Sequence, residues 1–156
     1  MGLSIFDIIG PGMIGPSSSH TAGAVRLGLI ARALAEENFS AVKIIFHGSF
    51  ATTGKGHATD RGIVAGLLGF APDDERLKDS IALAEKQGIA LQFATADLGE
   101  QAHPNTARII TRHPSREDIQ ITGASIGGGM IRVQEINRYE TNFSGALDTL
   151  VRQGKA

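Results

Sequence analysis

The densest group of side chains able to do chemistry is the run Ser-Ser-Ser-His-Thr at residues 17–21. It follows a stretch with three glycines and two prolines, residues 10–16, where the prolines exclude a helix or a central strand. Helix-forming residues come next, so the hydroxyls can cap a helix whose free N–H groups hold an anion such as a carboxylate. A well-capped helix after a tight turn is the competing structural interpretation.

A second polar segment, Gly48–His57, combines glycines and hydroxyls with Lys55 and follows an apolar run that predicts a strand. We interpret it as a loop that delivers Lys55 and His57 to the start of the next helix. The pattern Gly-x-x-x-x-Gly-Lys-Ser/Thr is absent from the segment, so a nucleotide-binding loop is rejected. A solvated lysine and a histidine that caps its own helix are the structural alternatives.

The elements that must position these segments follow from hydrophobic spacing and from glycine and proline. Helices are predicted over Thr21–Glu37, Ala58–Leu68 and from Pro72 to Gln87, and strands over Val42–His47, Ala90–Ala94, Ala107–Arg112, Asp118–Ser125 and Met130–Ile136. A triple glycine between the last two strands predicts an antiparallel hairpin. We expect an α+β fold with a mostly antiparallel sheet and helices packed on one face.

Two details of these elements bear on packing and on domain organisation. Gly23 and Gly28 weaken the first helix by about 1 kcal/mol each relative to alanine, which favours a close contact at both positions. The tail after Asn137 is polar apart from a few residues such as Phe143, and we interpret it as a partner-docking helix or a linker.

Composition excludes several classes of function. A chain of 156 residues, 42% of them apolar, predicts one folded domain, and its net charge of −1 argues against a nucleic-acid partner. No apolar run is long enough to cross a membrane and no leader pattern precedes the domain, so we expect a cytoplasmic protein. The absence of cysteine excludes a thiolate-held metal or iron–sulfur cluster within this chain.

Four motifs occur in one order: residues 16–21 (Pro-Ser-Ser-Ser-His-Thr), 53–57 (Thr-Gly-Lys-Gly-His), 103–106 (His-Pro-Asn-Thr) and 125–129 (Ser-Ile-Gly-Gly-Gly). With the Ser-Ile-Phe-Asp start at residues 4–7, they closely resemble the β chain of the iron–sulfur-dependent L-serine dehydratases, also called L-serine deaminases. The resemblance predicts a β domain over residues 1–137 and a tail or linker over 138–156. One departure is Ala58, where the family more often has glycine, and a positive φ there would strain the backbone.

The resemblance implies a division of labour between two chains. A partner α chain supplies the cysteines that hold a [4Fe–4S] cluster, so this chain alone is expected to be inactive; a homodimer is expected as well. Family β chains often continue into an ACT regulatory domain, which begins about where this sequence stops. The family's β fold also resembles the allosteric substrate-binding domain of some D-3-phosphoglycerate dehydrogenases. A ligand-sensing module without chemistry of its own is therefore a second hypothesis, and a purely structural subunit a third.

The resemblance also implies which residues face the substrate, L-serine. Loss of its Cα proton and hydroxyl gives aminoacrylate and then pyruvate and ammonia, with an open iron of the partner's cluster as Lewis acid on the leaving hydroxyl. We expect His57 to be the general base, because the dipole of the helix that follows keeps its ring neutral, and His20 to position the substrate. The expected contacts to the substrate are Ser17, Ser18, Ser19, Thr21, Lys55 and Asn105. At least one of the three serines is expected to cap the helix, and Asn105 is alternatively a cap of its own turn.

Overall fold

In the part of the chain that the structure describes, six strands form one sheet, and the helices cover one of its faces. The structure, a computed structural model, describes residues 15, 17–36, 38–53 and 58–145. Its strands are β1 (Ala41–Phe46), β2 (Ala90–Thr95), β3 (Thr106–Arg112), β4 (Ile119–Gly127), β5 (Met130–Ile136) and β6 (Tyr139–Phe143). They lie in the order β2-β1-β3-β4-β5-β6, with β1 and β2 parallel and every other neighbouring pair antiparallel.

Helices fill the connections in the first half of the chain. A π-helical turn, Ser18–Ala22, leads into α1 (Gly23–Leu34), and β1 is followed by α2 (Gly48–Thr53) and α3 (Thr59–Leu67). A 3₁₀ turn, Glu75–Asp79, continues into α4 (Ser80–Lys86). Within this described part of the chain, no helix is long and apolar enough to span a membrane.

The core lies between the sheet and the helices. Val42, Ile44 and Phe46 of β1 are buried on one face, because side chains two positions apart in a strand point the same way. Leu27 of α1 and Ile63 of α3 belong to the same buried cluster. The predicted α+β fold with a mostly antiparallel sheet is therefore confirmed.

The helices α1 and α3 cross with their backbones in contact. A Cβ on either Gly28 of α1 or Gly66 of α3 would overlap a backbone carbonyl oxygen of the other helix. Gly62 leaves room for the Thr21 carbonyl oxygen, which lies 3.1 Å from the place a Cβ would occupy. The predicted close contact at Gly28 is thus confirmed, and the crossing holds the first turn of α3 beside the π-turn.

The loop predicted over Gly48–His57 is wrong for its first six residues, which form α2. Phe50 is fully buried, and the Thr53 hydroxyl donates to the Ser49 carbonyl oxygen at 2.7 Å. A buried aromatic ring and a side-chain hydrogen bond therefore stabilise a helix that the glycine and threonine propensities of this stretch disfavour.

The segment after Asn137 contains a strand that local pattern did not predict. Glu140 of β6 pairs with Glu135 of β5, and Phe143 packs against the core. The strand is polar apart from its two aromatic residues, so its pairing with β5 rather than its own periodicity defines it.

Candidate functional site

The His20 imidazole joins two segments that are far apart in sequence. Its Nδ1 lies 3.3 Å from Oγ of Ser17, which precedes the π-turn, and its Nε2 lies 3.1 Å from Oγ of Ser49 in α2. The ring of Phe50 meets it in a T-shaped contact, with 5.3 Å between ring centroids. Both ring nitrogens therefore have a hydroxyl neighbour, and an aromatic side chain fixes the plane of the ring.

The π-turn that carries His20 is built by its own serines. The Ser17 hydroxyl accepts the backbone N–H of His20 at 3.2 Å, and the backbone N–H of Gly23 bonds to the Ser18 carbonyl oxygen. Isolated π-turns occur frequently at functional sites. The expectation that one of the three serines is a cap is confirmed for Ser17.

Hydroxyl groups extend from His20 in both directions. Oγ of Ser19 lies 3.4 Å from Oγ of Ser17, and Oγ1 of Thr53 lies 3.5 Å from Oγ of Ser49. A hydroxyl can donate one hydrogen bond and accept two, so each neighbour of the ring can serve a protonated or an unprotonated nitrogen. The arrangement can hold a neutral imidazole in a fixed orientation and can accommodate a proton on it without moving the ring.

The third and fourth motifs pack against the same region. The Phe50 N–H donates to the Pro104 carbonyl oxygen at 3.3 Å, and the Ser125 N–H donates to the Asn105 carbonyl oxygen at 3.0 Å. The Ser125 hydroxyl is buried beside Gly23, where any Cβ would overlap it, and it has no hydrogen-bond partner among the described residues. This contact confirms the close packing predicted at Gly23. A continuous line of contacts thus runs from the π-turn through α2 and the turn before β3 to β4.

Residues 54–57 of the second motif, which include Lys55 and His57, lie outside the described residues. The residues on either side are described: Thr53, the first residue of the motif, ends α2 near His20, and α3 begins beside the π-turn. Ala58 precedes α3 in the left-handed region, at φ 59°, and makes no side-chain cap. The strain anticipated at this alanine is therefore present, at a cost of about 1–2 kcal/mol.

The other predicted contact residues differ in accessibility. Ser18 is partly exposed, and its hydroxyl makes no hydrogen bond within the described residues. Thr21 is fully buried and packs against Gly15. Asn105 is partly buried, and its backbone N–H donates to Nδ1 of His103 at 3.1 Å. Ser18 and Asn105 are thus partly accessible to a ligand whereas Thr21 is not, and the substrate contacts of all three stay predictions.

The sequence did not identify Ser49 as a site residue, and it gave Thr53 only as the first residue of the second motif. A signal for them exists, because side chains four residues apart lie on one face of a helix. The interpretation of this stretch as a loop hid that spacing.

Comparison with known proteins gives one family and several relatives. The family model described as "Serine dehydratase beta chain" matches residues 4–89. The β chain of an L-serine dehydratase from Peptoniphilus asaccharolyticus is 44% identical over 148 residues, which are 95% of this chain and 67% of that one. A probable L-serine dehydratase β chain from Bacillus subtilis is 50% identical over 142 residues, 91% of this chain and 64% of that one. This chain therefore spans about two thirds of the length of both relatives. An L-serine dehydratase from Haemophilus influenzae is 41% identical over 153 residues, 83% of this chain and 33% of that one.

Proposed function

Because this chain belongs to the serine dehydratase β-chain family, we propose that it acts as the β subunit of an L-serine dehydratase. This family is the one that the four sequence motifs resemble. In the proposed reaction L-serine loses its Cα proton and its hydroxyl, giving aminoacrylate and water. Aminoacrylate then tautomerises and is hydrolysed to pyruvate and ammonia. A partner α chain supplies the rest of the active site.

The position of His20 supports this proposal most directly. A hydroxyl lies beside each nitrogen of its ring, and the Phe50 ring that contacts it belongs to a residue whose N–H donates to Pro104 of the third motif. In our proposal the ring positions L-serine, while the Ser18 and Ser19 hydroxyls donate to the substrate carboxylate. Hydrogen bonds to a charged group contribute about 1.5–3 kcal/mol each, enough to hold a small substrate in one orientation.

Three further roles belong to this proposal. His57 takes the Cα proton, and Lys55 and Asn105 make additional contacts to the substrate. A positioned base is needed for this step because a Cα proton is weakly acidic.

The [4Fe–4S] cluster belongs to the α chain in this proposal. This chain contains no cysteine, the usual ligand of such clusters. In the ranges that the structure describes, no group of three His, Cys, Asp or Glu side chains could hold a metal ion. The residues present here do not fit the cluster, and no step assigned to this chain passes through it.

Reconstitution tests the proposal. We expect pyruvate release from L-serine when the chain is co-expressed anaerobically with a cysteine-bearing α chain, and none from either chain alone. His20→Ala and His57→Ala should each lower this activity. His113→Ala is the matched control, because His113 bonds to Thr111 at the opposite end of β3 from the site. Full activity in both histidine variants would show that this chain has only a structural role.

A ligand-sensing module is the second candidate, because the hydroxyls around His20 all come from this one chain. Isothermal titration with L-serine separates the two functions. The proposed enzyme subunit should bind L-serine tightly only with the α chain present. Equal affinity with and without the α chain would favour the sensing module.

A further inference from the structure

An apolar groove runs between α1 and the hairpin of β4 and β5. It consists of two adjoining cavities of about 590 and 370 Å³. The apolar side chains of the larger cavity are Leu29, Ile30, Ile126, Met130 and Ile131. Ile126 is 37% exposed and Met130 is 53% exposed, so two of the four large exposed hydrophobic side chains in the described residues lie together here. Apolar side chains grouped at a surface mark a contact with another segment or molecule.

The described residues end inside this groove. Ser144 and Gly145 line both cavities. Gly145 has φ +67°, and a Cβ on it would lie 3.3 Å from Cδ1 of Ile30 and 3.6 Å from Cδ1 of Ile131. The backbone of Gly145 therefore already packs between these two side chains. Residues 146–156 follow it in the sequence.

The sequence after Gly145 suits an apolar groove. Residues 146–151 are Ala-Leu-Asp-Thr-Leu-Val. Leu147, Leu150 and Val151 have the i, i+3, i+4 spacing that places side chains on one face of a helix. At the helical rise per residue, six residues extend about 9 Å, and the part of α1 that lines the groove, 26–30, extends about 6 Å. The segment 146–151 is therefore long enough to cover this wall of the groove.

Charge also favours this segment as the occupant. Arg132 lines the smaller cavity, and its guanidinium makes no hydrogen bond or ion pair with another described residue. Arg26 lines the larger cavity, where its guanidinium donates to the Gly129 carbonyl oxygen at 2.8 Å. Asp148 lies between the apolar residues of the segment and is the one acidic residue of 146–156. A groove that is apolar inside and basic at its rim therefore matches an apolar segment that carries one carboxylate.

We propose that residues 146–151 of this chain occupy the groove, with their apolar side chains against α1 and the hairpin and with Asp148 paired with Arg132. The segment then covers Ile126 and Met130, which flank the triple-glycine turn of the fourth motif. In this arrangement the segment belongs to the domain itself and is neither a free linker nor a helix that docks on a partner.

An introduced thiol tests this proposal, because the sequence contains no cysteine. Met130→Cys and Tyr139→Cys place a thiol at two residues of similar exposure, 53% and 62%. In the full chain we expect the thiol at residue 130 to react with a small thiol reagent at least ~10-fold more slowly than the matched control at residue 139, because the segment must open before the reagent can enter. The neighbouring Arg26 favours the reactive thiolate, so its charge would speed the reaction at residue 130 and not slow it.

Variants of the segment identify the occupant. Leu147→Asp together with Leu150→Asp should raise the reaction rate at residue 130 to that at residue 139, with circular dichroism showing a retained fold, because two charges in the groove are costly. The rate at residue 139 should not change. If Met130→Cys fails to fold, Ile126→Cys on the other strand of the hairpin replaces it.

An exchange of charges tests the ion pair. Asp148→Arg should raise the rate at residue 130 by ~2–5-fold, the range expected for an ion pair near the surface. Arg132→Asp in the same chain should restore the slow reaction, because the two charges are then exchanged.

Three outcomes would overturn the proposal. Equal rates at residues 130 and 139 of the otherwise unchanged chain would show that nothing covers the groove. Protection that grows with protein concentration would show that a second copy covers it. Protection that persists in the double leucine variant would show that a different segment, such as residues 1–14, covers it.

Discussion

The hydroxyl of Ser49 lies 3.1 Å from Nε2 of His20, although 29 positions separate the two residues in sequence. This contact links α2 to the π-turn. A helix as short as α2 is unstable alone, so its position depends on the burial of Phe50 and on contacts such as this one. The orientation of the histidine ring is therefore determined partly by a residue outside its own motif.

Ser49→Ala should lower kcat/KM of the reconstituted enzyme by about 3–10-fold, since a neutral hydrogen bond contributes about 0.5–1.5 kcal/mol. Thr52→Ala is the matched control, because Thr52 is exposed and its hydroxyl bonds only to carbonyl oxygens of α2. The nitrogen NMR chemical shifts of the His20 ring should also change in Ser49→Ala, whereas a general loss of stability would leave them unchanged. Equal effects of the two variants on activity and ring shifts would contradict a positioning role for Ser49.

Ser17→Ala and Ser18→Ala should differ in kind. Ser17 caps the π-turn, so its loss should lower the free energy of unfolding by about 0.5–2 kcal/mol. Ser18→Ala should leave stability nearly unchanged and raise KM by ~10–100-fold, because the proposed bond to the substrate carboxylate is lost in ground state and transition state alike. Chemical denaturation and steady-state kinetics on both variants check this. A purely structural effect of Ser18→Ala would remove Ser18 from the substrate site.

The sequence predicted those elements whose stability is encoded locally. The alternation at Val42, Ile44 and Phe46 identified β1, and Gly28 marked the close helix crossing before any contact was known. The four motifs pointed to one family, and three of them lie along one line of contacts in the described residues.

The elements that were missed depend on contacts between distant residues. The helix α2 is stabilised by the burial of Phe50, and β6 by its pairing with β5. The partnership of Ser49 with His20 arises only when α2 and the π-turn pack together. Local propensity and periodicity carry no information about such contacts. For a site assembled from several segments, the sequence therefore identifies the motifs but not which side chains of different segments contact each other.

Ala58→Gly should stabilise the protein by about 0.5–1 kcal/mol, because glycine adopts φ 59° without the steric cost that alanine bears. Part of the gain is offset because glycine loses more conformational entropy on folding than alanine does. Gly88→Ala is the matched control, because it makes the reverse substitution at another residue with positive φ. Gly88 has φ +79°, and a Cβ there would meet nothing within 4 Å, so the substitution changes backbone preference alone. Chemical denaturation should show Gly88→Ala destabilised by a similar amount. A destabilised Ala58→Gly variant would contradict the left-handed geometry at residue 58.

His57→Ala should lower kcat by roughly 10²–10⁴, the usual contribution of a positioned general base, with a smaller change in KM. The reason is its place in the sequence: only Ala58 separates it from α3, and we expect the dipole of that helix to disfavour a charged imidazolium, so that the ring is neutral and can take a proton. His20→Ala should mainly affect KM, raising it by ~10–100-fold with a smaller change in kcat, because in our proposal its ring orients the substrate and does not accept the Cα proton. Steady-state kinetics of the reconstituted enzyme, together with deuterium exchange at the substrate Cα, distinguish these roles, and His113→Ala controls for loss of a histidine elsewhere. Equal and modest effects of both variants, with Cα exchange intact in His57→Ala, would place the base on the partner chain.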